Sequence, residues 1–190
     1  MPSQIRSYEK ARLRKIAALC KEGSILDIGY AHMPNPFYSS RSRTGVDLES
    51  PHYPSGYEEE LIGNALDLPN IVNGRKFDNI VAGEIIEHLE NPYEFVRILK
   101  SCLKKDGRLI LSTPNPLAWP VIFFEAINSH RFYYTQNHLY YFPPRWVDRI
   151  LNKCGFQSVQ KVPVGFWLPG VTLPCPTAMS YQVIFVADNN

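Results

Sequence analysis

The chain has 190 residues, of which 45% are hydrophobic and 20% charged, and its formal net charge is +2. This length and composition suit one globular domain and exclude a disordered, highly charged chain. No apolar run reaches the roughly 18 residues of a membrane span, the N-terminus lacks the apolar segment of a secretory signal, and the four cysteines lack the common zinc and redox spacings. We therefore expect a cytoplasmic protein with reduced thiols and no transmembrane segment.

The N-terminal segment 1–22 is predicted to be a helix. Apolar residues recur at nearly helical spacing through Leu13 and Ile16, and Gly23 suits a helix end. Up to Lys21 the segment carries six basic side chains and one acidic side chain. A solvated helix face is the simplest explanation of this charge, and contact with an acidic substrate or a membrane surface is the alternative.

Short strands and helices follow one another from residue 24 to residue 113. The predicted strands are 24–29, 43–47, 59–62, 77–82 and 108–112. Asn91 and Pro92 form an N-cap and first-turn signal for a helix that ends before Gly107. This pattern favours a parallel sheet with helices on both faces.

The second part of the chain begins with an aromatic-rich stretch. Its nine aromatic residues are Trp119, Phe123, Phe124, Phe132, Tyr133, Tyr134, Tyr140, Tyr141 and Phe142. A helix is predicted from Pro144 to Cys154, followed by strands over 156–162 and 180–187. Because no helix is predicted between these two strands, we expect them to pair antiparallel as a long hairpin at the sheet edge.

Polar residues and a glycine stand where the predicted strands end: Asp27 and Gly29, Asp47, Asn64 and Glu84. Ligands of open parallel sheets bind at these carboxyl ends. Asp47 can accept both hydroxyls of a ribose, Gly29 permits close approach of the backbone, and Asn64 can meet an adenine edge. Each residue alone has a structural explanation as a turn or cap, but their order indicates a nucleoside site.

At this point the sequence resembles the class I S-adenosylmethionine-dependent methyltransferases. The matching segments are ILDIG at 25–29, TGVDL at 44–48, GNALDLP at 63–69, FDNIV at 77–81, EIIEHLENP at 84–92, LKKDGRLILSTPN at 103–115 and GF at 155–156. The resemblance implies an α/β, Rossmann-like three-layer sandwich. Its seven-stranded sheet would be mostly parallel with an antiparallel last strand, in a single domain over 1–190.

The resemblance also implies S-adenosylmethionine as cofactor. In the family's layout Asp27 and Gly29 line its methionine end, Asp47 holds the ribose and Asn64 reads the adenine. The implied cofactor-binding residues are Asp27, Gly29, Tyr30, Asp47, Leu48, Asn64, Ala65, Leu66 and Glu84.

One loop departs from the family pattern. The family's Asp-x-Gly-x-Gly-x-Gly is here DIGYAHM from Asp27 to Met33, which keeps one glycine of three, and Asn64 stands where many members have Asp. This departure keeps a non-catalytic, methyltransferase-like binding protein as an alternative. Nicotinamide-dependent oxidoreductases are the nearest competitor in fold, but the residues after Gly29 lack their Gly-x-Gly-x-x-Gly turn.

The catalytic candidates are His88 and His138. Together with Glu84 and Glu87 they resemble the metal-binding set of small-RNA 2′-O-methyltransferases, part of which recurs in ubiquinone-type O-methyltransferases. Such a set can hold a divalent ion that polarises a hydroxyl acceptor. The alternatives are that Glu87 and His88 simply begin a helix, or that a histidine acts as general base without metal.

The family layout places segment 116–145 over the acceptor pocket, so we interpret it as an aromatic-rich substrate cap. The alternative is that its rings form a hydrophobic seam against the sheet. The favoured function is methyl transfer to an oxygen or nitrogen of a small molecule, with a sugar- or ring-containing metabolite as substrate. A nucleic-acid methyltransferase is the second choice, based on the basic N-terminal helix and the Glu84, Glu87, His88 and His138 set.

Overall fold

A mixed sheet of seven strands forms the centre of the protein. The structure, a computed structural model, describes residues 6–40, 42–51, 53–128, 138–168 and 170–190. Within these ranges the strands are β1 (Ile25–Ile28), β2 (Arg43–Asp47), β3 (Glu59–Ile62), β4 (Phe77–Gly83), β5 (Leu103–Pro114), β6 (Val159–Pro163), β7 (Phe166–Leu168), β8 (Val171–Leu173) and β9 (Gln182–Asp188). The helices are α1 (Ser7–Leu19), α2 (Leu68–Ile71), α3 (Pro92–Cys102), α4 (Trp119–Asn128) and α5 (Pro144–Lys153).

The strand order is β3-β2-β1-β4-β5-β9-β6. Strands β1 to β5 pair in parallel, whereas β9 runs antiparallel to both β5 and β6. The predicted mostly parallel sheet with an antiparallel last strand is therefore confirmed. The predicted pairing of β6 with β9 is also present, but β9 lies inside the sheet and β6 forms its edge.

Helices and loops cover both faces of the sheet and produce three layers. Side chains of a strand alternate between faces, so Leu26 and Ile28 enter one core while Ile25 enters the other. The first core receives Phe95 from α3 and Leu151 from α5. The second core is covered by α1 and by the loop after β1, whose Tyr38 is buried there.

Several connections differ from the expected alternation. No helix forms among residues 29–40, where Pro34 and Pro36 interrupt the chain. The Pro-rich segment after β6 contains the β7–β8 hairpin, which sequence patterns missed because each strand has only three residues. Helix α4 was also missed, since its apolar sequence has no helical periodicity to detect. In the described part of the chain, no helix is long and apolar enough to cross a membrane.

Asn115 fixes the end of β5 beside the segment that leads into β9. Its Nδ2 donates to the carbonyls of Thr177 and Ser180 at 2.9 and 3.1 Å, and its Oδ1 accepts from the Leu117 amide at 3.2 Å. The residue is almost fully buried, so each of these bonds replaces water that cannot reach it. This side chain therefore sets where α4 starts.

Replacing Asn115 with Ala is expected to lower the free energy of unfolding by about 2 kcal/mol, because the carbonyl of the buried Ser180 and two partly buried backbone groups lose a partner. Urea unfolding measures the change. The matched control is Asn152→Ala, which removes one exposed bond to the Asp148 carbonyl and is expected to change stability by less than about 0.5 kcal/mol. Equal effects of the two substitutions would contradict this role of Asn115.

Candidate functional site

A cavity of about 300 Å³ opens at the carboxyl ends of β1 to β4. The predicted cofactor-binding residues that line it are Gly29, Asp47, Leu48, Asn64, Ala65 and Glu84. His32 and His88 line it as well. The structure thus brings most of the predicted strand-end residues to one cavity. Asp27, Tyr30 and Leu66 lie around it without lining it.

Asp47 is held rigidly at the cavity wall. Its Oδ2 accepts from the Ala31 amide at 2.8 Å, and its Oδ1 accepts from the Leu48 amide at 2.7 Å. A carboxylate has about four acceptor positions, so two backbone bonds leave capacity for ligand hydroxyls. The Ala31 bond also joins β2 to the loop after β1, so the same carboxylate fixes the shape of that loop.

Asn64 and its neighbours begin a short 3-10 turn over Ala65–Asp67. The Asn64 Oδ1 caps this turn by accepting from the Leu66 amide at 2.9 Å. An aspartate would accept the same bond, so this capping role is compatible with either residue at this position. Asn64 and Ala65 both line the cavity, whereas Leu66 contributes the capped backbone amide.

The Asp27 carboxyl is buried, and two tyrosine hydroxyls donate hydrogen bonds to it. Its Oδ2 accepts from the hydroxyls of Tyr38 at 2.9 Å and Tyr57 at 2.6 Å. Burial raises the pKa of Asp27 to about 6, although both tyrosine bonds and the charge of Arg12 oppose this shift. Asp27 faces a small pocket of about 30 Å³ beside the main cavity. The carboxyl therefore organises its surroundings in the structure rather than facing the main cavity.

Tyr30 follows Gly29 in the loop after β1 and packs against β2 and Tyr57. Its ring stacks on that of Tyr57, with centroids 5.0 Å apart, and it packs so tightly on β2 that a Cβ at Gly45 would lie 2.5 Å from it. Gly29 adopts a φ of 77°, a conformation that favours glycine, which explains why this glycine remains. Sequence reasoning missed the contact of Tyr57 with Asp27, because the two residues are 30 positions apart, beyond the reach of a local motif.

Arg12 is a second residue that sequence reasoning missed. The expected solvated helix face is wrong at this position, because Arg12 and Glu9 are buried and form an ion pair of 2.7 Å. Arg12 lines the small pocket together with Asp27 and Gly29. Gly29 lines the main cavity as well, so the two spaces meet at this glycine.

Glu84 ends β4 in a left-handed conformation, with a φ of 56°. This conformation is uncommon for a residue with a side chain and is concentrated at functional sites. Its Oε1 accepts from Gln182 Nε2 at 2.5 Å, which ties β4 to the start of β9. Burial raises the pKa of Glu84, and the charge of Arg12 opposes the shift.

Glu87, His88 and His138 form a cluster beside the cavity. One ligand atom from each lies within 4.8 Å of the others, and the two imidazole centroids are 4.6 Å apart. The Glu87 carbonyl accepts from the amides of Leu139 and Tyr140, which holds His138 against this segment. Glu84, the fourth predicted member, does not join this group of mutually close ligand atoms.

The cluster contains buried polar atoms that lack hydrogen-bond partners, namely Glu87 Oε1 and His138 Nδ1. The other Glu87 oxygen accepts from Thr113 Oγ1 at 3.2 Å. Burial, followed by the charge of Glu84, raises the pKa of Glu87 to about 8. Burial, followed by the neighbouring His88, lowers the pKa of His138. Such unsatisfied groups are rare in native proteins and point to a missing ligand.

Only part of the predicted substrate cap can be placed. Phe132, Tyr133 and Tyr134 lie outside the described residues, in the range 129–137. Helix α4 exposes apolar side chains, among them Trp119, Ile122, Phe123 and Ile127. The assignment of segment 116–145 as a cap stays a prediction.

The raised pKa of Asp27 gives a prediction with a definite sign. The folded state retains the Asp27 proton up to about pH 6, whereas the unfolded chain loses it near pH 4, so stability falls as pH rises through this window. Asp27→Asn removes this component and should therefore gain stability relative to the wild type by roughly 3 kcal/mol between pH 4 and 6. Urea unfolding across this range measures the difference. A difference that is constant with pH, as expected for the exposed control Glu22→Gln, would contradict the assignment.

Residues 3–161 match the sequence profile of a protein family described as a methyltransferase domain. A ubiquinone biosynthesis O-methyltransferase of Glaesserella parasuis is 36% identical in an alignment 87 residues long, which covers 40% of this chain and only 37% of that relative. A solved S-adenosylmethionine-dependent methyltransferase of Thermotoga maritima, described as a possible histamine N-methyltransferase, superposes with a TM-score of 0.73 at 19% identity, over 96% of this chain and 89% of the other.

A Burkholderia thailandensis 1,6-didemethyltoxoflavin-N1-methyltransferase, solved with its substrate and S-adenosylhomocysteine, gives a TM-score of 0.62 at 16% identity over 95% of this chain and 79% of the other. These likenesses agree with the strand order described above, and the resemblance to class I S-adenosylmethionine-dependent methyltransferases is confirmed. The chain belongs to the family of methyltransferase domains.

Proposed function

We propose that this chain transfers a methyl group from S-adenosylmethionine to an oxygen or nitrogen of a small molecule. The observation that carries the proposal is the meeting of two sites at one sheet edge. A cavity lined by Asp47 and Asn64 reaches Glu84 and His88, and His88 belongs to the acid and imidazole cluster. A nucleoside cofactor and a proton-accepting group would thus lie side by side.

The residues around the cavity fit this cofactor. Its volume of about 300 Å³ is at the lower end of the usual range for small-molecule sites. Asp47 would accept the ribose hydroxyls, and Gly29 would allow close approach of the backbone. The buried Arg12 would pair with the cofactor's carboxylate, because it is the only cationic side chain other than histidine that lines either described pocket. When bound, S-adenosylmethionine supplies an electrophilic methyl group on its sulfonium.

If no metal ion occupies the cluster, His138 is suited to accept a proton from the acceptor. Its lowered pKa keeps the imidazole neutral near pH 7, and His88 beside it lines the cavity. A neutral imidazole within reach of a hydroxyl or ammonium group can act as general base. The remaining catalytic contribution would be positioning of the acceptor in line with the methyl group.

A divalent metal ion fits the cluster of Glu87, His88 and His138. The supporting observation is the pair of buried, unpartnered atoms, Glu87 Oε1 and His138 Nδ1. One carboxylate and two imidazoles are a common ligand set that leaves coordination positions for substrate. Such an ion would lower the pKa of an acceptor hydroxyl. We include Glu84 as a neighbour that adds negative charge rather than as a ligand.

A small molecule is favoured over a nucleic acid as acceptor. Much of the basic charge of the N-terminal segment is used internally: Arg12 pairs with Glu9, Lys15 donates to the Pro163 carbonyl and Lys21 pairs with Asp188. Less cationic surface remains for phosphate contacts than the sequence alone suggests. The similar proteins include both small-molecule methyltransferases and a small RNA methyltransferase, so the choice rests on this distribution of charge.

Asp47→Ala is expected to weaken binding of S-adenosylhomocysteine at least tenfold, because charge-assisted hydrogen bonds to the ribose are lost. Isothermal titration calorimetry on wild type and variant measures this change. The control is the exposed acid Glu22, whose replacement by Ala should leave affinity unchanged. Unaltered binding by Asp47→Ala would show that the ribose lies elsewhere.

A labelled-methyl transfer assay tests the reaction with pools of phenols, amines and RNA. We expect labelling of phenols or amines, loss of at least tenfold in kcat for His138→Ala, and inhibition by EDTA that Mn²⁺ reverses. The exposed Glu90→Ala serves as control and should retain full activity. Labelling of RNA alone would contradict the small-molecule proposal. Activity that EDTA leaves unchanged would exclude the metal and leave His138 as base.

A further inference from the structure

Glu9 and Arg12 form a buried ion pair on one face of α1. Their side chains are only 12% and 7% exposed. A single Glu9 oxygen, Oε2, accepts from Arg12 Nε at 3.1 Å and from Nη2 at 2.7 Å. Burying two opposite charges costs desolvation energy that their attraction offsets only in part, so a buried pair is weak evidence for a purely stabilising role.

The position of the pair connects it to the cavity. Arg12 lines the small pocket that adjoins the main cavity at Gly29. This pocket has a volume of about 30 Å³, which leaves room for a few water molecules and is a tenth of the volume of the main cavity. The guanidinium fills the space beside Gly83, since a Cβ at that glycine would lie 3.0 Å from Nη1.

The remaining partners of Arg12 are weak. Nη1 is 3.4 Å from Ser112 Oγ, and Nη2 is 3.7 Å from the Met33 sulfur. Two other carboxylates lie near enough to act on the Arg12 charge, but Glu84 accepts from Gln182 and Asp27 accepts from two tyrosine hydroxyls. Glu9 is therefore the only carboxylate that accepts hydrogen bonds from the Arg12 guanidinium in the described structure. A ligand carboxylate that approached Arg12 would find its guanidinium already paired with Glu9.

We propose that Glu9 is an internal substitute for the cofactor's carboxylate, which must displace it from Arg12 for the cofactor to bind fully. This inference rests on the proposed function. One carboxylate leaves the guanidinium and another arrives, so the exchange conserves charge and needs no proton transfer. Glu9 lies in the first turn of α1, and the exchange requires only that its side chain rotate away from Arg12.

The exchange would act only on ligands that carry a carboxylate. The apparent affinity of such a ligand equals its intrinsic affinity multiplied by the fraction of protein in which Arg12 is accessible. A nucleoside without the amino-acid group uses the same ribose and adenine contacts but does not compete with Glu9. The ratio of the two affinities therefore reports on the exchange itself and cancels changes that affect the whole cavity.

Calorimetry with S-adenosylhomocysteine and with 5′-methylthioadenosine, which lacks the amino-acid group, tests the proposal. Glu9→Gln keeps the shape of the side chain but removes its charge. We expect it to bind S-adenosylhomocysteine about tenfold more tightly than the wild type and methylthioadenosine equally well. Arg12→Gln should weaken only S-adenosylhomocysteine. Glu22→Gln, an exposed acid-to-amide change, should alter neither affinity.

The outcomes separate this proposal from the proposed function. If Glu9→Gln leaves both affinities unchanged, weakens S-adenosylhomocysteine, or changes both ligands equally, the exchange is overturned while cofactor binding stands. If the wild type binds neither ligand, the proposed function itself fails. Glu9→Ala provides a second variant, and the thermal midpoint of each variant verifies that it is folded before its affinities are compared.

Discussion

The buried carboxyl of Asp27 is the constraint from which the rest of the site follows. It stands at the end of β1, where a charged group without partners would be very unfavourable, and the hydroxyls of Tyr38 and Tyr57 satisfy it. Tyr57 comes from the segment before β3 and also accepts from the Asn35 amide. The loop after β1 is thereby fastened at two points without the glycines that usually shape it. In this protein aromatic packing and hydrogen bonds to Asp27 hold the loop in place.

The carboxyl edge of the sheet is assembled from segments that are far apart along the chain. Glu84 follows β4, Leu139 and Tyr140 precede α5, and Gln182 begins β9. Gln182 nevertheless donates to Glu84, and the amides of Leu139 and Tyr140 donate to the Glu87 carbonyl beside it. The charges here are mutually dependent, because Glu84 contributes to the raised pKa of Glu87 and Arg12 opposes it. A change in any one group would alter the protonation of the others, which makes this edge electrostatically a single unit.

The sequence was sufficient to predict the strands of the seven-stranded sheet and the residues at their ends. Short β-branched segments such as 25–28 have few alternative structures, and the rule that strand ends meet at one edge places Asp47 and Asn64 together. It was insufficient for contacts between distant residues. The contacts of Tyr57 with Asp27 and of Gln182 with Glu84 depend on how the chain returns to the sheet, and the spacing of neighbouring residues does not predict them. The burial of Arg12 could not be predicted for a related reason, because a segment rich in basic residues has the same composition whether or not one of them faces the core.

The insertion of β9 between β5 and β6 has a consequence for the order in which the protein is made. Residues up to the end of β5 can form a parallel sheet as they leave the ribosome, but β6 has no sheet partner until Gln182–Asp188 has emerged. At usual rates of synthesis the stretch from the end of β6 to the end of β9 takes roughly 1–5 s. Because Gln182 also completes the surroundings of Glu84, an unfinished chain would hold an open sheet edge and an incomplete reaction centre at the same time. Assembly of the site is therefore among the last events in the biosynthesis of this domain.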